Sequence, residues 1–261
     1  RAEMARRDPS VRALSFTEVN LGLTEAQAAA ESRRCLNCGI CSESMQCVEV
    51  CQPGAIDHLM RGEILEREAG AVIMAAGYDR FDPAIRGEYG YGRYPNVVTS
   101  IEYERLLSTS GPTEGEVLRP SDSAHPKRIA WIQCVGSRDV SCGNGYCSSV
   151  CCMAATKEAV MTREHDPDAE TTIFFNDMRA FGKGYERYYE DAKSKHDVRY
   201  VRSMPSTIKE LRQSRNLLIQ HAEEDGSIVE AEFDLVVLSV ALVPSARAGE
   251  LATRLGIELD R

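Results

Sequence analysis

Apolar and polar positions along residues 126–246 fall into short blocks. The run IAWIQ (129–133) is almost wholly apolar, which predicts a strand buried on both faces. VCCMAATKEAVMTREH (150–165) predicts a helix that begins near Ser148 or Ser149. TTIFFND (171–177) predicts a second strand, GYERYYEDAKSKH (184–196) a second helix and VRYV (198–201) a third strand. This β-α-β-α-β order is half of a doubly wound parallel sheet. HAEEDGSIVEAE (221–232) predicts a hairpin turning at Asp225–Gly226, and FDLVVLSVALVPSA (233–246) a further buried strand. Upstream, TEAQAAAESRR (24–34) predicts a helix capped by Thr24. After the charged stretch RGEILEREAG (61–70), AVIMAAG (71–77) predicts a short buried strand ending in small residues.

Composition narrows the class. The 261 residues are 43% hydrophobic and 27% charged, which reads as a soluble globular protein. A formal charge of −9 speaks against a nucleic-acid partner, which needs a basic face. No apolar run approaches the roughly 20 residues that span a bilayer, and no secretion signal is visible. A cytoplasmic location is the expectation. The chain opens on Arg1 and closes on GIELDR, which reads as a piece of a longer polypeptide.

Ten cysteines change the picture, because they fall in two tight groups rather than scattered pairs. Thiols so close together suit metal or cluster ligation better than disulfides. The first group is Cys35, Cys38, Cys41, Cys47 and Cys51, spaced C-x2-C-x2-C and then C-x3-C, with Pro53 just beyond. Bacterial ferredoxins use such a run to wrap a [4Fe–4S] cluster. Two registers stay open. Cys35, Cys38 and Cys41 join Cys51, with Cys47 as a spare; or Cys41, Cys47 and Cys51 act with Ser44 at the second position. Serine oxygen is a poorer ligand for cluster iron than thiolate, which favours the first register. A zinc site would more usually present two separated C-x2-C knuckles.

The second group lies where a dinucleotide-binding unit carries its glycine-rich phosphate loop. Gly136, Gly143 and Gly145 form no G-x-G-x-x-G pattern, and Cys134, Cys142, Cys147, Cys151 and Cys152 stand there instead. A strand end and a helix start converge on such a loop, and the helix N-terminus favours negative charge. A thiolate-ligated cluster is anionic. The phosphate site is therefore expected to be rebuilt around iron and sulfur, with Cys134, Cys147, Cys151 and Cys152 as ligands and Cys142, mid-loop among glycines, outside. Cys147 and Cys151 are expected one above the other on a helical turn. Adjacent Cys151 and Cys152 can serve one cluster only at a helix start, so the helix is expected to begin at or just before them.

Several segments carry a resemblance. AVIMAAG followed by YDRFDP is similar to the A-T-G segment of two-dinucleotide-domain flavoproteins, the thioredoxin reductase and glutamate synthase small-subunit group, which implies FAD contact at Ala75, Ala76 and Gly77. The cysteine pattern with IQCVGSRD and YCSSVCCM resembles the A subunit of heterodisulfide reductase and its bacterial relatives. CLNCGIC…QCVEVC, EYGYGRYPNVVTSIEYERLL, DMRAFGKGYERYYE and FDLVVLSVALVP extend that resemblance over about 24–246. It departs at Ser44 and at Ala241, where a Cys and a Gly are usual. The resemblance implies a thioredoxin-reductase-like two-domain α/β flavoprotein fold with a ferredoxin-like cysteine segment, two [4Fe–4S] clusters in this chain and FAD in the full-length protein. It maps the double-cysteine motif onto Cys134, Cys147, Cys151 and Cys152. Its partners would be other subunits of an electron-transfer complex, either heterodisulfide reductase B/C-like or hydrogenase and dehydrogenase subunits.

On this frame the chain divides into a ferredoxin-like segment (1–69), a flavin-domain piece (70–125), a Rossmann-like domain (126–245) and a return to the flavin domain (246–261). Lys157, five residues past Cys152, is expected to reach toward a flavin and stabilise its reduced anion, with Glu104 as its partner. Arg179, Lys183 and Arg187 look like a solvated face, and the five histidines show no ligand spacing. The expected function is an iron–sulfur flavoprotein oxidoreductase subunit passing electrons between FAD and clusters, with flavin-based bifurcation within its range. The alternatives are a glutamate synthase small-subunit-like NAD(P)H oxidoreductase and a zinc-stabilised scaffold without redox work.

Overall fold

A computed structural model describes the chain except residues 1, 15–18, 33–47, 50, 58, 110, 224 and 260–261. It forms two compact units, Arg1–Glu63 and Ile64–Arg261. In the first, α1 (Pro9–Arg12) is capped by Asp8, which accepts from Ser10 N at 2.8 Å. Helix α2 (Glu25–Ser32) starts where Thr24 predicts. Thr24 N donates to Gln27 Oε1 at 2.9 Å and Gln27 N donates back to Thr24 Oγ1 at 3.3 Å, a reciprocal capping box.

The second unit is built on a five-stranded parallel sheet. Its strands are β2 (Val97–Thr99), β3 (Arg128–Val135), β4 (Glu170–Phe174), β5 (Arg199–Val201) and β9 (Leu235–Val240), in the order β2-β9-β3-β4-β5. Strand β9 is buried at every position, as a central strand covered on both faces must be. One face carries Ile129, Trp131, Ile173, Leu235 and Val237, covered by α3 (Ser100–Leu107), α4 (Cys151–His165) and α5 (Tyr185–Lys195). The opposite face carries Ala130, Ile132, Phe174, Val236 and Leu238, covered by an antiparallel meander of β6 (Thr207–Glu210), β7 (Leu217–Ala222) and β8 (Ile228–Phe233). The β7–β8 hairpin turns at Asp225–Gly226 as the sequence predicts. Gly226 takes a left-handed φ of 84°, and Asp225 Oδ1 accepts from Ser227 N at 2.9 Å.

Two sequence expectations are corrected here. AVIMAAG (71–77) forms no strand. Val72 and Ile73 are 71% and 94% exposed, and β1 (Tyr78–Arg80) begins only after the run, pairing antiparallel with β10 (Leu242–Pro244). An apolar run becomes a strand only where a neighbour takes its backbone hydrogen bonds, and no described strand lies beside 71–77. The Rossmann-like sheet also starts before residue 126. Val97–Thr99 pair with Val236–Leu238, because Val97 and Val98 each have an apolar layer to enter, one on either face. The last helix, α6 (Ala246–Leu255), follows β10 directly.

Candidate functional site

The turn after β3 is where the sheet's carboxyl edge meets a helix start, the usual place for a ligand in such a sheet. Strand β3 loses its register with β9 between Ile132 and Val135. At that break Cys134 takes a left-handed φ of 60°, and Arg138 (56°) and Ser149 (64°) do the same further along the loop. A left-handed conformation costs a residue with a side chain about 1–2 kcal/mol, so three in one turn mark a backbone held in place by its surroundings. Gly136 has no alternative: its φ is 74°, and a Cβ would meet the Phe81 ring at 2.2 Å.

Hydrogen bonds fold this loop back on itself. Arg138 N donates to Tyr146 O and Asp139 N to Asn144 O, each at 2.8 Å. Ser137 Oγ donates to Tyr146 O at 3.0 Å and accepts from Ser148 N at 3.2 Å. Ser148 Oγ in turn accepts from Leu242 N at 3.0 Å, and Tyr146 donates to Leu242 O at 3.1 Å. The loop thereby returns Cys147 to the level of Cys134 and ties both to the exit of β9.

Helix α4 begins at Cys151, so the adjacent cysteines stand at the helix start as the sequence predicts. Cys147 is not on that helix. The left-handed Ser149 turns the chain between them, which corrects the expected stacking of Cys147 over Cys151 on one helical turn. Cys151 Sγ lies 3.9 Å from Val240 O, and Cys152 Sγ lies 3.7 Å from Asp177 O. Cys147 Sγ accepts from Ser149 N at 3.3 Å.

Cys134, Cys151 and Cys152 feel the thiols around them. Burial first, then the charges of the others, pushes Cys134 up to about 11 and Cys151 up to about 12. Burial raises Cys152 as well, against the pull of the Arg179 backbone N–H. Clustered thiols that oppose each other's ionisation become thiolates together only around positive charge, which cluster iron supplies. Their donor chemistry fits a [4Fe–4S] cluster. Among the described residues no three His, Cys, Asp or Glu side chains are grouped to hold a single metal ion; thiolates around a cubane stand farther apart, roughly 6–7 Å given metal–sulfur bonds near 2.3 Å.

Cys142 faces elsewhere. It ends a short 3-10 turn, Val140–Cys142, and its Sγ lies 3.4 Å from Asp139 Oδ2 and 3.9 Å from Arg86 Nη1. Lys157 pairs with Glu104 across α4 and α3, both side chains nearly half exposed. Ala76 and Gly77 line an apolar cavity of about 380 Å³ with Val72, Met74, Pro244 and Ala252, and Ala75 beside them is exposed. Of the first cysteine group only Cys51 is described; its Sγ accepts from Ala55 N at 3.3 Å. Cys35, Cys38, Cys41 and Cys47 lie outside the described residues.

Sequence reasoning missed the charged groups beside the thiols. Arg138 Nη2 binds Asp177 Oδ2 at 2.9 Å, and Arg179 and Arg202 reach the same carboxylate at 3.7 and 3.4 Å. Arg179 therefore belongs with the site rather than with a solvated face. A signal was present: these residues directly follow β3, β4 and β5, and parallel strands deliver their ends to one edge.

The chain is 45% identical over 229 residues to the iron–sulfur A subunit of CoB–CoM heterodisulfide reductase from Methanocaldococcus jannaschii, covering 87% of this chain and 34% of that protein. It is 52% identical over 205 residues to the A subunit numbered 2 of the same reductase from Methanopyrus kandleri, covering 78% and 31%. It is 44% identical over 220 residues to the A subunit of the H(2):CoB-CoM heterodisulfide,ferredoxin reductase from Methanothermobacter marburgensis, covering 83% and 33%. The chain thus spans about a third of the length of the curated relatives it matches. No family model matches it. Among solved structures, thioredoxin reductase from Lactococcus lactis is 18% identical with a TM-score of 0.40, covering 69% of this chain and 46% of that one. The α/β assignment rests on the parallel sheet itself.

Proposed function

We infer, from kinship with the A subunits of heterodisulfide reductases, that this chain is part of an iron–sulfur flavoprotein oxidoreductase and carries electrons within a multi-subunit complex. Cys134, Cys147, Cys151 and Cys152 hold one [4Fe–4S] cluster, and the first cysteine group holds a second. FAD is bound by the longer protein, with Ala75, Ala76 and Gly77 at its edge. Clusters exchange one electron and flavin exchanges two, so the flavin is where pairs divide or combine. Lys157, oriented by Glu104, favours the reduced anionic flavin.

The observation that carries the reading is the gathering of Cys134, Cys147, Cys151 and Cys152 on the loop between a strand end and a helix start, where burial and the neighbouring thiols raise Cys134 and Cys151. This chain's residues contribute binding and exclusion of water. The left-handed Cys134 and the helix start at Cys151 fix the thiols, while the Tyr146 and Ser148 contacts to Leu242 close the loop over them. Iron, acid-labile sulfide and zinc measured on anaerobically purified protein test the reading. Iron and sulfide in comparable amounts support it; stoichiometric zinc without sulfide replaces it with the scaffold.

A further inference from the structure

Two guanidinium groups beside the thiols bury a donor that nothing accepts. Arg138 lines a small pocket of about 240 Å³ together with Cys134, Arg86 and Asn176. Its Nη2 is fixed on Asp177, while its Nη1 is buried without a hydrogen-bond partner. Its backbone N–H reaches Tyr146 O at 2.8 Å, one residue before Cys147, so the side chain stems from between the two halves of the thiol set. Its charge acts on both Cys134 and Cys147. Arg179, from the segment after β4, likewise buries its Nε without a partner, and its charge acts on Cys152. Leaving a buried donor unpaired is destabilising, more so when it is charged. Two such donors beside one group of sulfurs call for an acceptor among those sulfurs.

The geometry points to Arg138, seconded by Arg179, as the cationic residue that stabilises the reduced state of the cluster held by Cys134, Cys147, Cys151 and Cys152, with Asp177 as the residue that positions it. The inference rests on the cluster proposed above. Reduction adds one electron to the cluster and moves no proton, so the cluster becomes more negative by one unit. In the test the electron comes from dithionite. A guanidinium keeps its charge at every accessible pH, and its fork lets it hold Asp177 with one nitrogen while offering the other to sulfur. A nearby fixed positive charge raises the midpoint potential; the carboxylate of Asp177 lowers it and at the same time aims Arg138.

The experiment is an anaerobic redox titration of the full-length protein, following the electron-paramagnetic signal that Cys151→Ser abolishes. Arg138→Gln is expected to lower the ratio of reduced to oxidised cluster at a fixed poise about tenfold, which for one electron is about 59 mV. Arg138→Lys is expected to restore most of that loss, which a purely structural arginine would not allow. Asp177→Asn keeps an acceptor for Arg138 and removes a negative charge, so the midpoint is expected to rise. Unchanged midpoints in Arg138→Gln and Asp177→Asn overturn the inference and leave the cluster standing. If Arg138→Gln loses the signal, Asp177→Asn decides: an upward shift supports the inference, and no shift overturns it. Absence of any signal sensitive to Cys151 in the unsubstituted protein removes the cluster reading itself.

Discussion

Trp131 donates its indole N–H to Glu158 Oε2 across 2.7 Å, with both side chains fully buried between β3 and α4. The other oxygen of Glu158 has no partner. Burial pushes the carboxyl up to about 8 from its ordinary 4.5. Trp131 and Lys157 pull it down, and Glu104 pushes with burial. Below about 4.5 the folded and unfolded chains both hold this proton. Between 4.5 and about 8 only the folded chain does, so the stability it contributes is lost as pH rises through that window. The slope per proton is at most about 1.4 kcal/mol per pH unit. Denaturant unfolding at pH 5 and pH 8, followed through Trp131 fluorescence, is expected to show a smaller pH loss in Glu158→Gln. An equal loss in both proteins would mean that Glu158 is ionised in the fold.

Gly136 sets the floor of the cysteine loop. Gly136→Ala forces a Cβ to within 2.2 Å of the Phe81 ring and adds a left-handed residue to a turn that already holds three. A loss of about 1–3 kcal/mol is expected, the usual range for overpacking joined to backbone strain. Phe81 is itself buried, so Phe81→Ala should cost less in the Gly136→Ala background than alone, by the part due to the ring. An equal cost in both backgrounds in thermal unfolding would assign the whole Gly136→Ala loss to φ.

Arg119 is only 8% exposed and clamps the turn between β6 and β7, donating to Asn216 Oδ1 at 2.8 Å and Ser214 O at 2.7 Å. Arg119→Met strands both acceptors. A loss of about 2–3 kcal/mol is expected, with faster amide exchange in residues 207–233 than in β9. Uniform exchange across both regions would show that the meander does not open separately.

The sheet was legible because its strands are continuous apolar runs: IAWIQ, TTIFF and LVVLSV can be buried on both faces and nowhere else. The start of α4 was legible from stereochemistry, since neighbouring Cys151 and Cys152 diverge on a helix and converge only at its start. AVIMAAG misled because its pattern is equally that of a buried strand, and the pattern says nothing of whether a partner strand lies beside it. The stacking of Cys147 on Cys151 failed for a local reason: Ser149 adopts a left-handed conformation that a serine seldom shows. The arginines around Asp177 were hidden because they come from three strand ends far apart in sequence. Nothing in the spacing of GSRD, DMRAF and VRSMP links them; only the parallel order of β3, β4 and β5 does.

Cys142 provides the internal control for the cluster, since it shares the loop and yet turns to Asp139 and Arg86. The most direct measurement is electron-paramagnetic spectroscopy of dithionite-reduced protein carrying single Cys→Ser changes at positions 134, 142, 147, 151 and 152. One cluster signal is expected to vanish in the variants at Cys134, Cys147, Cys151 and Cys152 and to persist in Cys142→Ser. Loss of that signal in Cys142→Ser, or its survival in any of the other four, would contradict the ligand set on which the account depends.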